Sequence, residues 1–129
     1  MKQIIALTSF ALVTACLPGG ATSDYPVGEP EYHLVELDGA AFTETATIQF
    51  PEAGRVVGQA PCNSYFGSLT SEYPTFALDA VGATKMACPD LVAEDTFFAA
   101  LEEMTTAELN DAALILSNGD GRKMVFEPR

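Results

Sequence analysis

The sequence predicts a mainly β fold of the α+β class, antiparallel sheet with one helix packed across it, on three observations. Apolar and polar residues alternate with period two in several short segments. Turn dipeptides such as Asp38-Gly39, Asn110-Asp111 and Asn118-Gly119 separate those segments. One stretch, near residues 90–104, instead carries its apolar residues at helical spacing.

The elements follow in order. Tyr32-His33-Leu34-Val35-Glu36-Leu37 reads as a strand closed by Asp38-Gly39. Thr45 to Phe50 alternates so that Ala46, Ile48 and Phe50 share a face, Pro51 to Gly54 turns, and Arg55 to Ala60 is the next strand. These two strands are expected to form a hairpin. Tyr73 to Leu78 is a short extended piece with Phe76 and Leu78 inward and Pro74 at a strand start or edge. The helix opens near Pro89-Asp90 and runs to about Met104, with Phe97, Phe98, Leu101 and Met104 as its apolar stripe. Glu94 and Asp95 fall in its N-terminal half, where the helix dipole favours them. A β-meander follows: Ala107 to Leu109, Ala113 to Ser117 and Arg122 to Phe126, separated by the Asn110-Asp111 and Asn118 to Gly121 turns.

Composition narrows the partners. Six Lys and Arg stand against 18 Asp and Glu in 129 residues, a net charge of -12. Nucleic acid is excluded, because clustered bases supply most of the affinity for a phosphate backbone. A single histidine, His33, removes schemes that need two imidazoles and most zinc sites built on histidine.

A mean hydropathy of +0.17 beside so acidic a charge is explained by the N-terminus. Met1-Lys2 precedes the uncharged run Ile4 to Val13, too short to span a bilayer and suited to a secretory signal. A buried N-terminal strand is the competing reading, disfavoured by the basic start and the small residues that end the run. That run ends Val13-Thr14-Ala15-Cys16, which resembles the lipobox of bacterial lipoproteins. The resemblance implies residues 1–15 as the signal peptide and a lipid on Cys16 that holds the chain to a membrane, since two or more acyl chains anchor firmly where one does not. Leu17 in place of Asp favours an outer-membrane destination, facing the periplasm. A signal cut near Gly20 or Ala21 would instead release a soluble exported protein. Cleavage before Cys16 removes Lys2 and no acid, leaving 114 residues, 5 bases, 18 acids and a charge of -13. Residues 16–29, rich in Gly, Pro and small polar side chains, read as a flexible tether, and residues 30–129 as the folded domain.

With Cys16 lipidated, Cys62 and Cys88 are an even pair in an oxidising compartment and are expected to bridge. A redox-active or metal-binding thiol pair is the alternative, but it lacks CxxC spacing and a neighbouring His.

Taken together, Tyr32-x-Leu34-Val35, then Arg55-Val56-Val57-Gly58-x-x-x-Cys62-Asn63-x-Tyr65-x-Gly67, then Thr84-x-Met86-Ala87-Cys88, Phe97 and Leu101 in the helix, and Leu114-x-Leu116 before Met124-x-Phe126 resemble the META domain, the family of the HslJ-type heat-inducible envelope proteins. Tyr32 stands where that family usually has Trp. The resemblance implies a small, strongly curled antiparallel sheet or near-barrel crossed by one helix. It also implies association with heat shock, stress response or antibiotic tolerance at the cell envelope, with no known reaction.

Individual residues carry little chemistry of their own. Asn63 reads as a turn residue that bonds its own backbone. Gly58 and Gly67 mark bulges or bends beside strands, with a close-approach ligand surface as the lesser alternative. Thr84-Lys85-Met86 offers a hydroxyl beside a lysine but no S-x-x-K spacing. Asn118-Gly119-Asp120-Gly121 starts like a calcium loop, yet its twelfth position is Arg129, so it reads as a hairpin turn. Glu94-Asp95 and Glu102-Glu103 read as the helix's solvated face, and His33 as a residue facing out or capping a sheet edge. The expectation is a non-enzymatic envelope module without cofactor or metal, its partner a protein of the envelope. The alternative is a periplasmic inhibitor of an extracytoplasmic hydrolase; a cationic target such as lysozyme would suit the charge.

Overall fold

The computed structural model describes residues 24–28 and 30–129, so the expected signal peptide, Cys16 and most of the expected tether lie outside the described residues. Among the described residues the first strand is β1 (Tyr32–Leu37), which turns back through Asp38 and Gly39, both at positive φ, into the short β2 (Ala40–Ala41). Two consecutive positive-φ positions make the tight turn that the twist of a hairpin favours. β3 (Thr47–Ile48) lies on the other part of β1, and the C-terminal meander completes this sheet. Its strands β7 (Thr106–Asn110), β8 (Ala113–Ser117) and β9 (Lys123–Pro128) give the order β2-β1-β9-β8-β7. A second sheet of β4 (Arg55–Gln59), β5 (Ser64–Leu69) and β6 (Leu78–Ala83) runs antiparallel in chain order.

Ala46, Ile48 and Phe50 are all buried, as their alternation predicts, but the expected hairpin with residues 55–60 is reduced to one pair, Gln49 with Val57. β3 pairs with β1 instead. That single rung bridges the two sheets, which curl around a shared core without closing into a barrel. β5 was not foreseen, because Asn63 and Gly67 read as turn and bulge residues. Its side chains nonetheless alternate strictly, Tyr65, Gly67 and Leu69 inward and Ser64, Phe66 and Ser68 outward. β6 was missed for a related reason: Leu78-Asp79-Ala80-Val81-Gly82-Ala83 buries no residue fully, so it shows no inward face to read. Residues 74–76 lie along the outer edge of β7, with Phe76 N donating to Thr105 O and Ala107 N to Pro74 O, and Phe76 is buried there. Covering an edge in this way removes a template for unwanted strand addition.

The helix α1 (Leu91–Glu103) matches its expected span and buries Phe97, Ala100 and Leu101. Phe97 and Phe98 meet the ring of Tyr65 edge-on at 5.6 and 5.5 Å, which seats the helix on β5. Asp90 makes no side-chain cap. Near the other end Glu103, unfavourable beside a helix C-terminus, is offset by Arg122 at 2.9 Å.

Candidate functional site

Two places in the molecule combine unusual residues with defined geometry, and the first is centred on Asn63. The β4–β5 turn presents the backbone N–H groups of Cys62 and Asn63 to Oε2 of Glu94, each at 2.8 Å. The Asn63 amide donates to Oε1 of the same carboxylate at 2.6 Å. Its carbonyl oxygen accepts from the Thr84 hydroxyl at 2.9 Å and from Met86 N at 2.6 Å. One asparagine thus ties the β4–β5 turn, the segment after β6 and the helix together. The Cys62–Cys88 disulfide closes the same three-way junction. Glu94 is only 5% exposed and makes no ion pair among the described residues; three N–H donors offset its charge, as strong charge-assisted bonds do. With both oxygens occupied, the carboxylate is a lock and not an open acid or base.

This corrects two expectations. Glu94 does not belong to the solvated face: counted along the helix it falls three before Phe97, seven before Leu101 and ten before Met104, on the buried stripe itself. A stripe read only from apolar residues passes over it. Asn63 bonds across the fold to Thr84, Met86 and Glu94 rather than to its own backbone.

The second place is an open cleft of about 770 Å³ at the other end of β4 and β5. Its walls are Tyr25, Phe50, Leu69 and Tyr73. Tyr25 stacks on Phe50 at 5.1 Å and meets Tyr73 edge-on at 5.5 Å. The Tyr25 hydroxyl donates to Thr75 O, the Ser71 hydroxyl donates to the same carbonyl at 2.7 Å and accepts from Ala77 N, and the Tyr73 oxygen accepts from Leu109 N at 3.0 Å. Burial pushes the Tyr25 phenol up. The cleft hydroxyls therefore hold the walls in place, while Asp24, Glu52 and Glu72 stand exposed around them. Residues 24–28 are docked here, Val27 bridging Phe50 and Gly28 N donating to Phe50 O, so packed structure starts earlier than the domain boundary at residue 30 read from composition. Pro26 and Gly28 do exclude a regular ladder, but one rung and an aromatic stack suffice to hold the segment.

The META domain family model matches residues 26–129. The chain belongs to the META domain family. Two solved structures share its fold. An NMR structure of a protein from Burkholderia xenovorans aligns with a TM-score of 0.60 at 19% identity, covering 88% of this chain and 99% of its own. A second NMR structure aligns at 0.62 and 18%, covering 78% and 90%. No curated protein matches the chain.

The META motif residues can now be placed. Tyr32 is buried in β1, where desolvation raises its phenol. Gly58 marks no bulge, since β4 and β5 pair without interruption. A Cβ there would lie 2.1 Å from Thr47 O and 2.7 Å from the Tyr65 ring, because the Tyr65 hydroxyl crosses over Gly58 to donate to Thr47 O at 2.6 Å. Gly67 does sit at a register shift between β5 and β6. Thr84 donates to Asn63 Oδ1 and accepts from Ser64 N. Met86 contributes its backbone to the lock, although the residue as a whole is 63% exposed. His33 is half-buried and pairs with Glu31 at 3.2 Å. Asn118 Oδ1 accepts from Asp120 N and Arg122 N, shaping the β8–β9 turn. Cys62, Asn63, Thr84, Met86 and Cys88 of the META motif gather at the lock, its other residues are spread over both sheets and the helix, and none of them lines the cleft. Tyr25 and Tyr73 were missed as site residues because one lay in the expected tether and the other in a short extended piece; an aromatic amid a Gly- and Pro-rich stretch was the available signal.

Proposed function

We propose that this META domain is a non-enzymatic binding module of the bacterial envelope, lipid-anchored through Cys16, that engages a partner at the Tyr25–Tyr73 cleft in envelope stress or antibiotic tolerance. The observation that carries the reading is the cleft: a preformed, aromatic-walled concavity of a size ligand sites commonly have, its hydroxyls engaged in structure instead of poised for reaction. The sequence before it supports the anchor, because Cys16 stands eight residues ahead of Asp24 and so holds the cleft within about 28 Å of the membrane surface. The periplasmic inhibitor reading draws support from the charge of -12, which would steer a cationic hydrolase towards the domain.

The test is a photocrosslinking residue at Ala53 on the cleft rim, with a second placed in the distal β7–β8 turn, in cells expressing the full chain. A discrete membrane-fraction adduct from position 53 alone supports the module. Equal adducts from both positions would count against it, and a Cys16→Ser chain that still sediments with membranes would sink the anchor. Lost turnover of lysozyme on mixing would select the inhibitor reading.

A further inference from the structure

Resting on the binding-module reading, we propose that the cleft receives a basic, apolar-interleaved extended segment of a protein partner, with Lys or Arg side chains set against the rim carboxylates. Three observations converge on this occupant. The cleft walls are apolar and aromatic, and an ammonium or guanidinium carried on an apolar stem matches such a wall twice, through its stem and through the ring faces. Asp24 and Glu72 make no ion pair among the described residues. None of the five described basic side chains lines the cleft. Glu52 pairs with Arg55 at 3.6 Å, but both side chains are more than half exposed and such a pair is weakly held.

Shape favours a segment over a compact small molecule. A second depression of about 470 Å³ shares Glu52, Ala53 and Gly54 with the first and is lined also by Phe66, which is 54% exposed, and by Arg55, the one basic residue on it and the partner of Glu52. The two form one track over the β3–β4 turn, from Tyr25 to Phe66, along which an extended chain sets its basic residues beside Asp24, Glu52 and Glu72 and an apolar residue against Phe66. A second copy of this domain is a poor occupant, because each copy brings the same acidic excess.

The experiment uses the full-length exported chain, kept soluble by Cys16→Ser, and measures anisotropy of a fluorescein-labelled Lys-Leu-Lys-Leu-Lys peptide with its Glu-for-Lys counterpart as control. The basic peptide binds and the acidic one does not. Glu52→Gln with Glu72→Gln weakens binding about fivefold, while Asp95→Asn with Glu102→Gln on the outer helix face leaves it unchanged. All four are exposed, so melting temperatures confirm intact folding. Equal binding of both peptides, or equal loss in the helix variant, overturns the proposal. Absent peptide binding with a position-53 adduct still formed overturns the basic segment and leaves the module standing; absence of both removes both. A concentration-dependent dimer that buries the cleft would also refute it.

Discussion

The lock around Asn63 makes a prediction that separates a wired network from three independent contacts. In Glu94→Gln the new amide can keep its oxygen towards the Cys62 and Asn63 N–H groups, but then its NH₂ faces the NH₂ of Asn63 across a 2.6 Å contact. Turning the Asn63 amide over does not help, since its oxygen is held by Thr84 and Met86. Two charge-assisted bonds become neutral, one bond becomes a donor–donor clash, and the relief of burying no charge offsets part of the loss. The net cost is about 3 kcal/mol, which for a domain near 100 residues lowers Tm by about 12–24 °C. Asn63→Asp alone costs a similar ~3 kcal/mol by setting two carboxylates face to face, and it regains stability as pH falls, because a shared proton restores the missing donor. The double variant reverses the polarity of the contact: the new amide donates to the new carboxylate, the other donors keep their acceptors, and only the long 3.4 Å bond from the Asn63 amide to Met86 O is lost. Urea denaturation of the four proteins should give a coupling energy of about 2 kcal/mol or more in favour of the double variant. If the two single losses simply add, or if Glu94→Gln melts within 2 °C of the parent, Glu94 and Asn63 do not work as a unit.

Four further outcomes are expected. Cys88→Ser, or reduction of the parent, lowers stability by about 3.5 kcal/mol on the chain-entropy model for a loop of this length, read from urea midpoints with and without reductant; equal midpoints would show that the bridge adds nothing. Gly58→Ala costs about 3 kcal/mol or more because its Cβ meets a backbone oxygen, whereas Gly82→Ala meets only the tip of the exposed Phe66 ring and costs less than about 1 kcal/mol; thermal melts that rank them the other way refute the steric assignment. Asp38 accepts from the Arg122 guanidinium and from Lys123 N, which hold its carboxyl below the ordinary value of 3.8. Its stabilisation is thus complete above that value and lost as pH falls through the lowered one, so Asp38→Asn melts lower than the parent at neutral pH and converges with it in acid. Burial strongly raises the Tyr65 phenol, so the folded state holds a proton that the unfolded chain releases above 10.0, and stability declines as pH climbs past that point; a flat alkaline profile would contradict this.

Period and punctuation in the sequence were enough for β1, the helix and the meander, because the strands are bounded by turns with residues at positive φ, such as Gly39, Asp111 and Gly121, and the helix carries its buried residues at helical spacing up to an extended Met104. They were insufficient for β5, whose inward positions include a glycine, and for β6, which has no fully buried residue. The pairing of β3 with β1 is non-local: a hairpin is the cheapest partner in sequence, yet Tyr32 opposite Ile48 buries both side chains and wins. The bridging of Cys62 with Cys88 was legible from counting cysteines. The role of Glu94 was not, since a carboxylate on an apolar stripe announces a buried partner only when the position is counted as well as the residue type.

The lock and the cleft share a strand. β5 begins at Ser64, next to Asn63, and ends at Leu69 in the cleft wall, a span of about 17 Å. β4 runs the other way, from Gly54 at the cleft to the turn that holds Asn63. Of the residues through which the chain resembles its family, Cys62, Asn63, Thr84, Met86 and Cys88 build the far end of this ribbon. The cleft is made by Tyr25, Glu52, Glu72 and Tyr73, which the family motif does not include. A staple and a saturated carboxylate at one end fix the register of β4 on β5, and the register places Glu52 and Leu69 on either side of the opening. Family membership says nothing about what enters the cleft. That depends on the cleft's own side chains: tyrosines that can cover an apolar stem, and carboxylates that favour a cation at its tip.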